Sequence, residues 1–105
     1  MIAEIAPTAL QQRLAGDSPP LILDVREGWE LDIARLPDTV NIPMAEVPQR
    51  LAELPREREV VVMCRSGGRS LKVAQYLDRH GYRVANLTGG ILAWAQDVDP
   101  SLKTY

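Results

Sequence analysis

The segment that most constrains the fold is an uninterrupted apolar run, Val60-Val61-Val62-Met63-Cys64. Three β-branched residues in succession favour an extended strand over a helix. Because no polar residue alternates with them, the strand is expected to be buried on both faces, which is typical of the centre of a parallel sheet. The rest of the chain therefore has to supply helices that cover two sheet faces.

Shorter strand-like and helix-like segments alternate around this run. Strands are predicted at 21–25, 40–42 and 84–87, and helices at 8–16, 48–54, 70–80 and 91–98. Prolines fall between these segments or at their starts, which supports the division. Alternating strands and helices predict βα units, and therefore an α/β fold with a mainly parallel sheet and helices on both faces.

Local chemistry suggests how several of these segments begin and end. Thr8, followed three residues later by Gln11, fits a capping box for the first helix. Gly81 can supply the left-handed residue that ends the third helix. Trp29 and Trp94 are expected to pack helices onto the sheet, because large aromatic side chains dominate core contacts.

Length and charge exclude several classes of protein. The chain has 105 residues, so a single domain over 1–105 is expected. Lys and Arg number 12 against 14 Asp and Glu, a net charge of -2 that lacks the basic excess of nucleic-acid binders. No apolar run is long enough to span a bilayer, and the start carries no signal-peptide pattern. Neither nucleic acid nor membrane is expected as a partner, and the predicted location is the cytoplasm.

A candidate nucleophile ends the central apolar run. Cys64 is followed by Arg65-Ser66-Gly67-Gly68-Arg69-Ser70, which leads into the predicted helix 70–80. This places the thiol at the carboxyl edge of the sheet, where α/β proteins bind ligands. The glycines let backbone N–H groups turn inward, while the helix N-terminus and two arginines add positive charge. We therefore expect Cys64 to be more acidic than an isolated thiol, whose pKa is ~8.5, and an anion to bind above it.

Each residue of this loop also has an ordinary structural interpretation. A free cysteine is often only a core residue, arginines are usually solvated, and a glycine pair can mark any tight turn. A serine at this point fits a helix N-cap as well as an anion contact. Their combination directly after the central strand favours a catalytic Cys64 and a substrate-binding loop formed by Arg65, Ser66, Gly67, Gly68, Arg69 and Ser70. A tetrahedral metal site is not expected from one Cys and one His, nor is any cofactor.

Four stretches together resemble the rhodanese family, in the family's order and over nearly the whole chain. They are Leu23-Asp24-Val25-Arg26-Glu27 with Trp29-Glu30, Val40-Asn41-Ile42-Pro43, Cys64-Arg65-Ser66-Gly67-Gly68-Arg69-Ser70, and Leu87-Thr88-Gly89-Gly90-Ile91 with Ala93-Trp94. The resemblance implies a rhodanese-like fold with a five-stranded parallel sheet. It also implies a thiosulfate sulfurtransferase that carries sulfur as a persulfide on the loop cysteine. The implied donor is a small anion such as thiosulfate or a protein persulfide, and the implied acceptor is cyanide or a thiol.

The chain departs from the family pattern at two turns. The family often has Gly-His-Ile and a further Gly where this chain reads Ala34-Arg35-Leu36-Pro37-Asp38, and usually has Pro at the position of Gly28. Both departures lie outside the loop and concern turn geometry. Asp24 and Arg26, at the end of a predicted strand, are expected to fix neighbouring loops by hydrogen bonds and ion pairs.

Two other functions remain open at this point. Cell-cycle dual-specificity phosphatases resemble rhodaneses in fold and have five residues between the loop cysteine and a phosphate-binding arginine. Here four residues separate Cys64 from Arg69, Ser70 stands at the arginine position, and Met63 stands where phosphatases usually have His. A shorter loop suits a single sulfur atom, which favours sulfur transfer. A non-catalytic sulfur carrier or regulatory binding module is the second alternative, and a monomer or weak homodimer is expected.

Overall fold

A single parallel sheet forms the middle of the computed structural model, which describes residues 1–105. Its strands are β1 (Ala3–Ile5), β2 (Leu21–Asp24), β3 (Val40–Asn41), β4 (Val60–Met63) and β5 (Val84–Leu87), in the order β1-β5-β4-β2-β3. The helices are α1 (Pro7–Leu14), α2 (Gly28–Leu31), α3 (Gly68–Arg79) and α4 (Gly90–Asp97). All strand pairs are parallel, so the predicted α/β class is confirmed.

The central strand is β4, and both of its faces are covered. It pairs with β2 on one side and β5 on the other, and all four of its residues are buried. Because side chains alternate along a strand, Val60 and Val62 pack into the core on the α3 side, while Val61 and Met63 pack into the core beside α1 and α4. Helices therefore cover both faces of the sheet, as predicted, and the carboxyl end of β4 lies at the middle of the sheet edge.

Several predicted boundaries were wrong for local reasons. The first helix begins at Pro7 without a side-chain cap, because the fixed φ of proline suits the first helical position, so Thr8 lies inside the helix. The predicted helix 48–54 is instead a short 3₁₀ turn at Leu51–Glu53, preceded by another at Met44–Glu46. Leu54 is extended because it precedes a proline, and this conformation stops helical growth.

The sequence did not reveal the strand β1 or the exposure of Trp29. The strand β1 was not predicted from its own residues, since it is three residues long, lies at the sheet edge and is mostly exposed. Trp29 was predicted to pack on the sheet, but it is 62% exposed on the four-residue helix α2. Trp94 on α4 is buried as predicted, and Gly81 ends α3 with a φ of +86°. No helix has the length and apolar character needed to cross a membrane.

Candidate active site

Cys64 is the first residue after β4, and its side chain turns back toward the protein. Its Sγ accepts a hydrogen bond from the backbone N–H of Gly67 at 3.1 Å and lies 3.4 Å from the Ser70 hydroxyl. The residue is only 1% exposed. The sulfur therefore lies at the bottom of a small loop, with donors directed at it from the loop and from the first turn of α3.

Gly67 gives this loop its shape. Its φ of +112° is a conformation that side-chain-bearing residues rarely adopt, and it forms the N-cap of α3. The helix begins at Gly68, two residues earlier than predicted, so Ser70 lies in the first turn and is not the N-cap. Amide groups of that turn are left without intrahelical partners and are available to a negative charge.

The loop makes Cys64 more acidic than an ordinary thiol. Burial alone raises the pKa of Cys64, but the Ser70 hydroxyl lowers it through a hydrogen bond. Backbone N–H groups of Ser70, Gly67 and Ser66 lower it further, so that the pKa lies below its usual value. These donors stabilise the thiolate, which is the reactive form of cysteine.

The inner wall of the loop is held by β5. The Ser70 hydroxyl contacts Asn86 Oδ1 at 2.5 Å, and Asn86 Nδ2 donates to the carbonyl oxygen of Gly67 at 3.3 Å. The same amide group reaches Glu4 on β1 at 3.1 Å. Asn86 was not singled out from the sequence, although a polar residue in an otherwise apolar strand is a recognisable signal.

Gly90 at the start of α4 holds the loop from the opposite side. The N–H of Ile91 donates to the carbonyl of Cys64 at 2.9 Å, and the N–H of Leu92 donates to the carbonyl of Arg65 at 3.2 Å. Gly90 has a φ of +60°, and an added Cβ would lie 2.5 Å from the Cys64 carbonyl oxygen. Only glycine permits this close approach, so the backbone on either side of the thiol is fixed by the N-terminus of α4.

Arg69 does not extend freely into solvent. Its Nη1 and Nη2 donate to the two carboxylate oxygens of Glu30, each at 2.8 Å. Glu30 is 2% exposed, so its negative charge is fixed at the loop. The sequence predicted that both loop arginines add positive charge beside Cys64, but the charge of Arg69 is balanced by Glu30.

Glu30 accepts four hydrogen bonds in all. Besides the two from Arg69, it accepts one from the backbone N–H of Glu27 at 2.8 Å and one from the Tyr105 hydroxyl at 2.7 Å. The hydrogen bonds from Arg69 are the main cause that lowers the pKa of Glu30, to about 2. Glu30 is thus both the third helical residue of the capping box of α2, whose N-cap is Glu27, and the acceptor that fixes a loop arginine.

The ionisation of Glu30 is expected to appear in the acid stability of the protein. Its pKa of about 2 lies below the ordinary 4.5, so the carboxylate stabilises the folded state fully above pH 4.5 and progressively less as the pH falls toward 2. Glu30→Gln should lower the free energy of unfolding at neutral pH by about 1–3 kcal/mol and flatten the fall in Tm over this range. Glu46→Gln, in an exposed ion pair, is the control and should leave the pH profile unchanged. Parallel profiles for Glu30→Gln and wild type would contradict the assignment.

Asp24 and Arg26 form a buried ion pair beside the hydrogen bonds of Glu30. Arg26 Nη2 donates to Asp24 at 2.7 Å and to the carbonyl of Ala34 at 2.9 Å, and neither charged side chain is exposed. Burial acts to lower the pKa of Arg26, but the hydrogen bonds to Asp24 and Tyr105 raise it above its usual value. These contacts agree with the prediction that Asp24 and Arg26 fix neighbouring loops.

Arg65 lies on the outer side of the loop and contacts the C-terminal segment. Its Nε donates to the main-chain oxygen of Tyr105 at 2.6 Å, its Nη2 binds the same oxygen, and its guanidinium lies 5.1 Å from the centroid of the Tyr105 ring. These contacts hold the Arg65 guanidinium at the edge of the loop. Ser66 and Gly68 are exposed between the two arginines.

Comparisons with known proteins agree with this architecture. Residues 6–97 match the model of the family described as the rhodanese-like domain. The chain is 44% identical over 97 residues to a protein of Allochromatium vinosum named sulfurtransferase, with 91% of each chain covered. It is 36% identical over 99 residues to YtwF of Bacillus subtilis, covering 94% of this chain and 96% of that protein. The crystal structure of a rhodanese-like domain protein from Staphylococcus aureus superposes with a TM-score of 0.86 at 30% identity, covering 99% of both chains.

Proposed function

The chain belongs to the rhodanese-like domain family, and from that premise we propose that it is a sulfurtransferase in which Cys64 carries the transferred sulfur as a persulfide. The observation that supports this most is the position of Cys64 Sγ, 3.1 Å from the Gly67 nitrogen at the bottom of a loop of donors. Such a loop stabilises negative charge on the cysteine sulfur. The same donors are available to a second sulfur bonded to it.

The first step is attack of the Cys64 thiolate on the outer sulfur of thiosulfate. A new S–S bond forms as the bond between the two sulfurs of thiosulfate breaks, and its electron pair leaves with sulfite. The cysteine becomes a persulfide anion, and no proton is transferred because sulfite departs as an anion. In this proposal Arg65 supplies the positive charge that attracts the donor, and Arg69 lines the loop in its pair with Glu30.

The second step removes the outer sulfur from the persulfide. Cyanide or a thiolate attacks that sulfur and leaves as thiocyanate or a new persulfide, and the electron pair of the broken S–S bond returns to Cys64. The persulfide anion is stabilised between the two steps by the inward N–H groups of the loop, as an oxyanion hole stabilises an intermediate. His80 is hydrogen-bonded at the far end of α3 and has no part in this chemistry.

The phosphatase alternative is disfavoured by Ser70. In the phosphatase loop this position is the phosphate-binding arginine, but here it is a completely buried serine within 2.5 Å of Asn86. The only arginine nearby at the start of α3, Arg69, is already paired with Glu30 through both terminal nitrogens. A phosphate group would therefore lack its guanidinium partner.

The expected assay results separate these functions. Wild-type protein with thiosulfate and cyanide should form thiocyanate with double-displacement kinetics. Plots of the reciprocal rate against the reciprocal thiosulfate concentration, at several fixed cyanide concentrations, should therefore be parallel. Incubation with thiosulfate alone should add one sulfur atom to the intact mass, and cyanide should remove it. An aryl phosphate should not be hydrolysed. A protein that takes up sulfur from a persulfide donor but never releases it would be a carrier or binding module. If the protein took up sulfur from none of the donors, the proposal would be refuted.

The proposal includes a site formed by Cys64 and residues 65–70. It also includes thiosulfate as the donor and a protein persulfide as a donor or acceptor. The cytoplasmic location, the single domain over 1–105, and the monomer or weak homodimer stay predictions.

A further inference from the structure

We propose that Tyr105 is a positioning residue that holds both loop arginines in place and thereby sets the affinity of the site for anionic sulfur donors. This inference rests on the proposed function for the identity of the donor, but the anion-attracting property of the loop can be measured without it. The residue lies 40 positions after Arg65 in the sequence and is half-buried against the loop.

The contact with Arg65 is direct. The Tyr105 main-chain oxygen accepts from Nε and Nη2 of Arg65, and the tyrosine ring lies against the same guanidinium. Two hydrogen bonds to one oxygen together with a ring contact leave the guanidinium little rotational freedom. These contacts hold the Arg65 side chain in one orientation at the edge of the loop.

The contact with Arg69 is made through Glu30. The Tyr105 hydroxyl donates to Glu30 Oε1 at 2.7 Å and accepts from Arg26 Nη1 at 3.0 Å. A phenol has one proton to donate, so the hydroxyl is correctly placed to join an acceptor on one side with a donor on the other. It thereby connects the Asp24–Arg26 pair at the end of β2 with the Glu30–Arg69 pair at the loop.

The Tyr105 ring is itself kept in place from outside. Trp29 lies edge-on to it, with ring centroids 6.2 Å apart and an angle of 71° between the ring planes. Aromatic pairs favour this T-shaped arrangement. Burial is the main cause that raises the pKa of Tyr105, so its hydroxyl stays protonated and able to donate. One residue thus restrains the two cations that flank Cys64, and ordering them before a donor arrives reduces the entropy lost when an anion binds.

The test compares alkylation of Cys64 by an anionic and a neutral reagent. In both reactions the thiolate displaces iodide, but iodoacetate carries a charge and iodoacetamide does not. Two variants are used: Tyr105→Phe removes only the hydroxyl, and Tyr105→Ala removes the ring as well but keeps the main-chain oxygen that binds Arg65. We expect the iodoacetate-to-iodoacetamide rate ratio to fall about threefold in Tyr105→Phe and about tenfold in Tyr105→Ala, the effect of freeing one or two side chains. High salt should reduce the wild-type ratio in the same direction.

Kinetics with thiosulfate give a second readout. In the Tyr105 variants, the KM for thiosulfate should rise by about the same factor by which the iodoacetate-to-iodoacetamide rate ratio falls. The kcat should change little, because positioning of the arginines affects binding of the anion. Tyr76→Phe is the matched control, since Tyr76 is also half-buried and its hydroxyl makes no hydrogen bond within the chain. Its ratio and KM should equal those of wild type.

The outcomes separate this inference from the proposed function. If the folded Tyr105→Phe and Tyr105→Ala variants keep the wild-type alkylation ratio, Tyr105 has no positioning role and the inference is overturned. If the ratio falls but the wild type forms no persulfide, the inference stands and the proposed function fails. Should Tyr105→Ala melt below the assay temperature, the conservative Tyr105→Phe variant alone decides the question.

Discussion

Cys64→Ser is expected to take up no sulfur from thiosulfate or from any persulfide donor. Cys64 is the only cysteine in the chain, so no second thiol can replace it. A serine hydroxyl does not ionise near neutral pH without a base beside it, and the groups around this position donate hydrogen bonds to it. Thiocyanate formation and the gain in intact mass should therefore both disappear.

The substitution tests chemistry because it is expected to preserve the fold. Serine differs from cysteine by a single atom, and the Gly67 N–H can donate to its oxygen as it does to sulfur. Since the residue is 1% exposed in an apolar core, a loss of about 1–2 kcal/mol in the free energy of unfolding is expected. Circular dichroism and thermal melting check this. A folded Cys64→Ser variant that still gains one sulfur atom would place the sulfur on another residue and remove Cys64 from the mechanism.

Gly90→Ala is expected to damage the site and the fold together. An added Cβ would lie 2.5 Å from the Cys64 carbonyl oxygen and 2.6 Å from the Arg65 carbonyl carbon, which are backbone atoms that cannot rotate away. The left-handed conformation costs an alanine about 1–2 kcal/mol, and overpacking adds roughly 1–3 kcal/mol. We expect Tm to fall by at least roughly 10 °C. Cys64 alkylation by iodoacetamide should also change, because α4 or the loop must move.

Gly28→Ala is the matched control for this substitution. Gly28 begins α2, its φ is not positive, and an added Cβ would have no atom within 4 Å. Alanine is a better helix former than glycine, so the change should be neutral or slightly stabilising. Both Tm and alkylation rate should stay at their wild-type values. If Gly90→Ala behaved in the same way as Gly28→Ala, the close packing of α4 on the loop would have no energetic importance.

Local patterns in the sequence were sufficient to predict the centre of the fold and the position of the thiol. The apolar run 60–64 specifies a central strand wherever the rest of the chain lies, and the glycines after it specify a tight loop before α3. By contrast, β1 carries too few buried residues to be distinguished from a loop. Trp29 was misplaced because a helix of four residues is too short to show a periodic apolar face.

The partners of the loop arginines could not be predicted in the same way. Arg69 binds a residue 39 positions earlier in the chain, and Arg65 binds one 40 positions later. Such contacts depend on the order in which strands are arranged in the sheet, which residue spacing does not reveal. Glu30 was noticed only as part of a motif, and no pattern in the sequence distinguishes Tyr105 from an ordinary exposed tyrosine. Both became recognisable only through their distances to the guanidinium groups.

The sheet order also has a consequence for synthesis of the chain on the ribosome. Among the five strands of this sheet, β1 is made first, and it pairs only with β5, which is made last. The backbone groups of Ala3–Ile5 therefore have no sheet partner until about eighty further residues have been translated. The loop around Cys64 is likewise held by hydrogen bonds from β5 and α4, which follow it in the chain. The hydrogen bonds that fix the Cys64 loop from both sides can therefore form only after the C-terminal part of the sequence has been added.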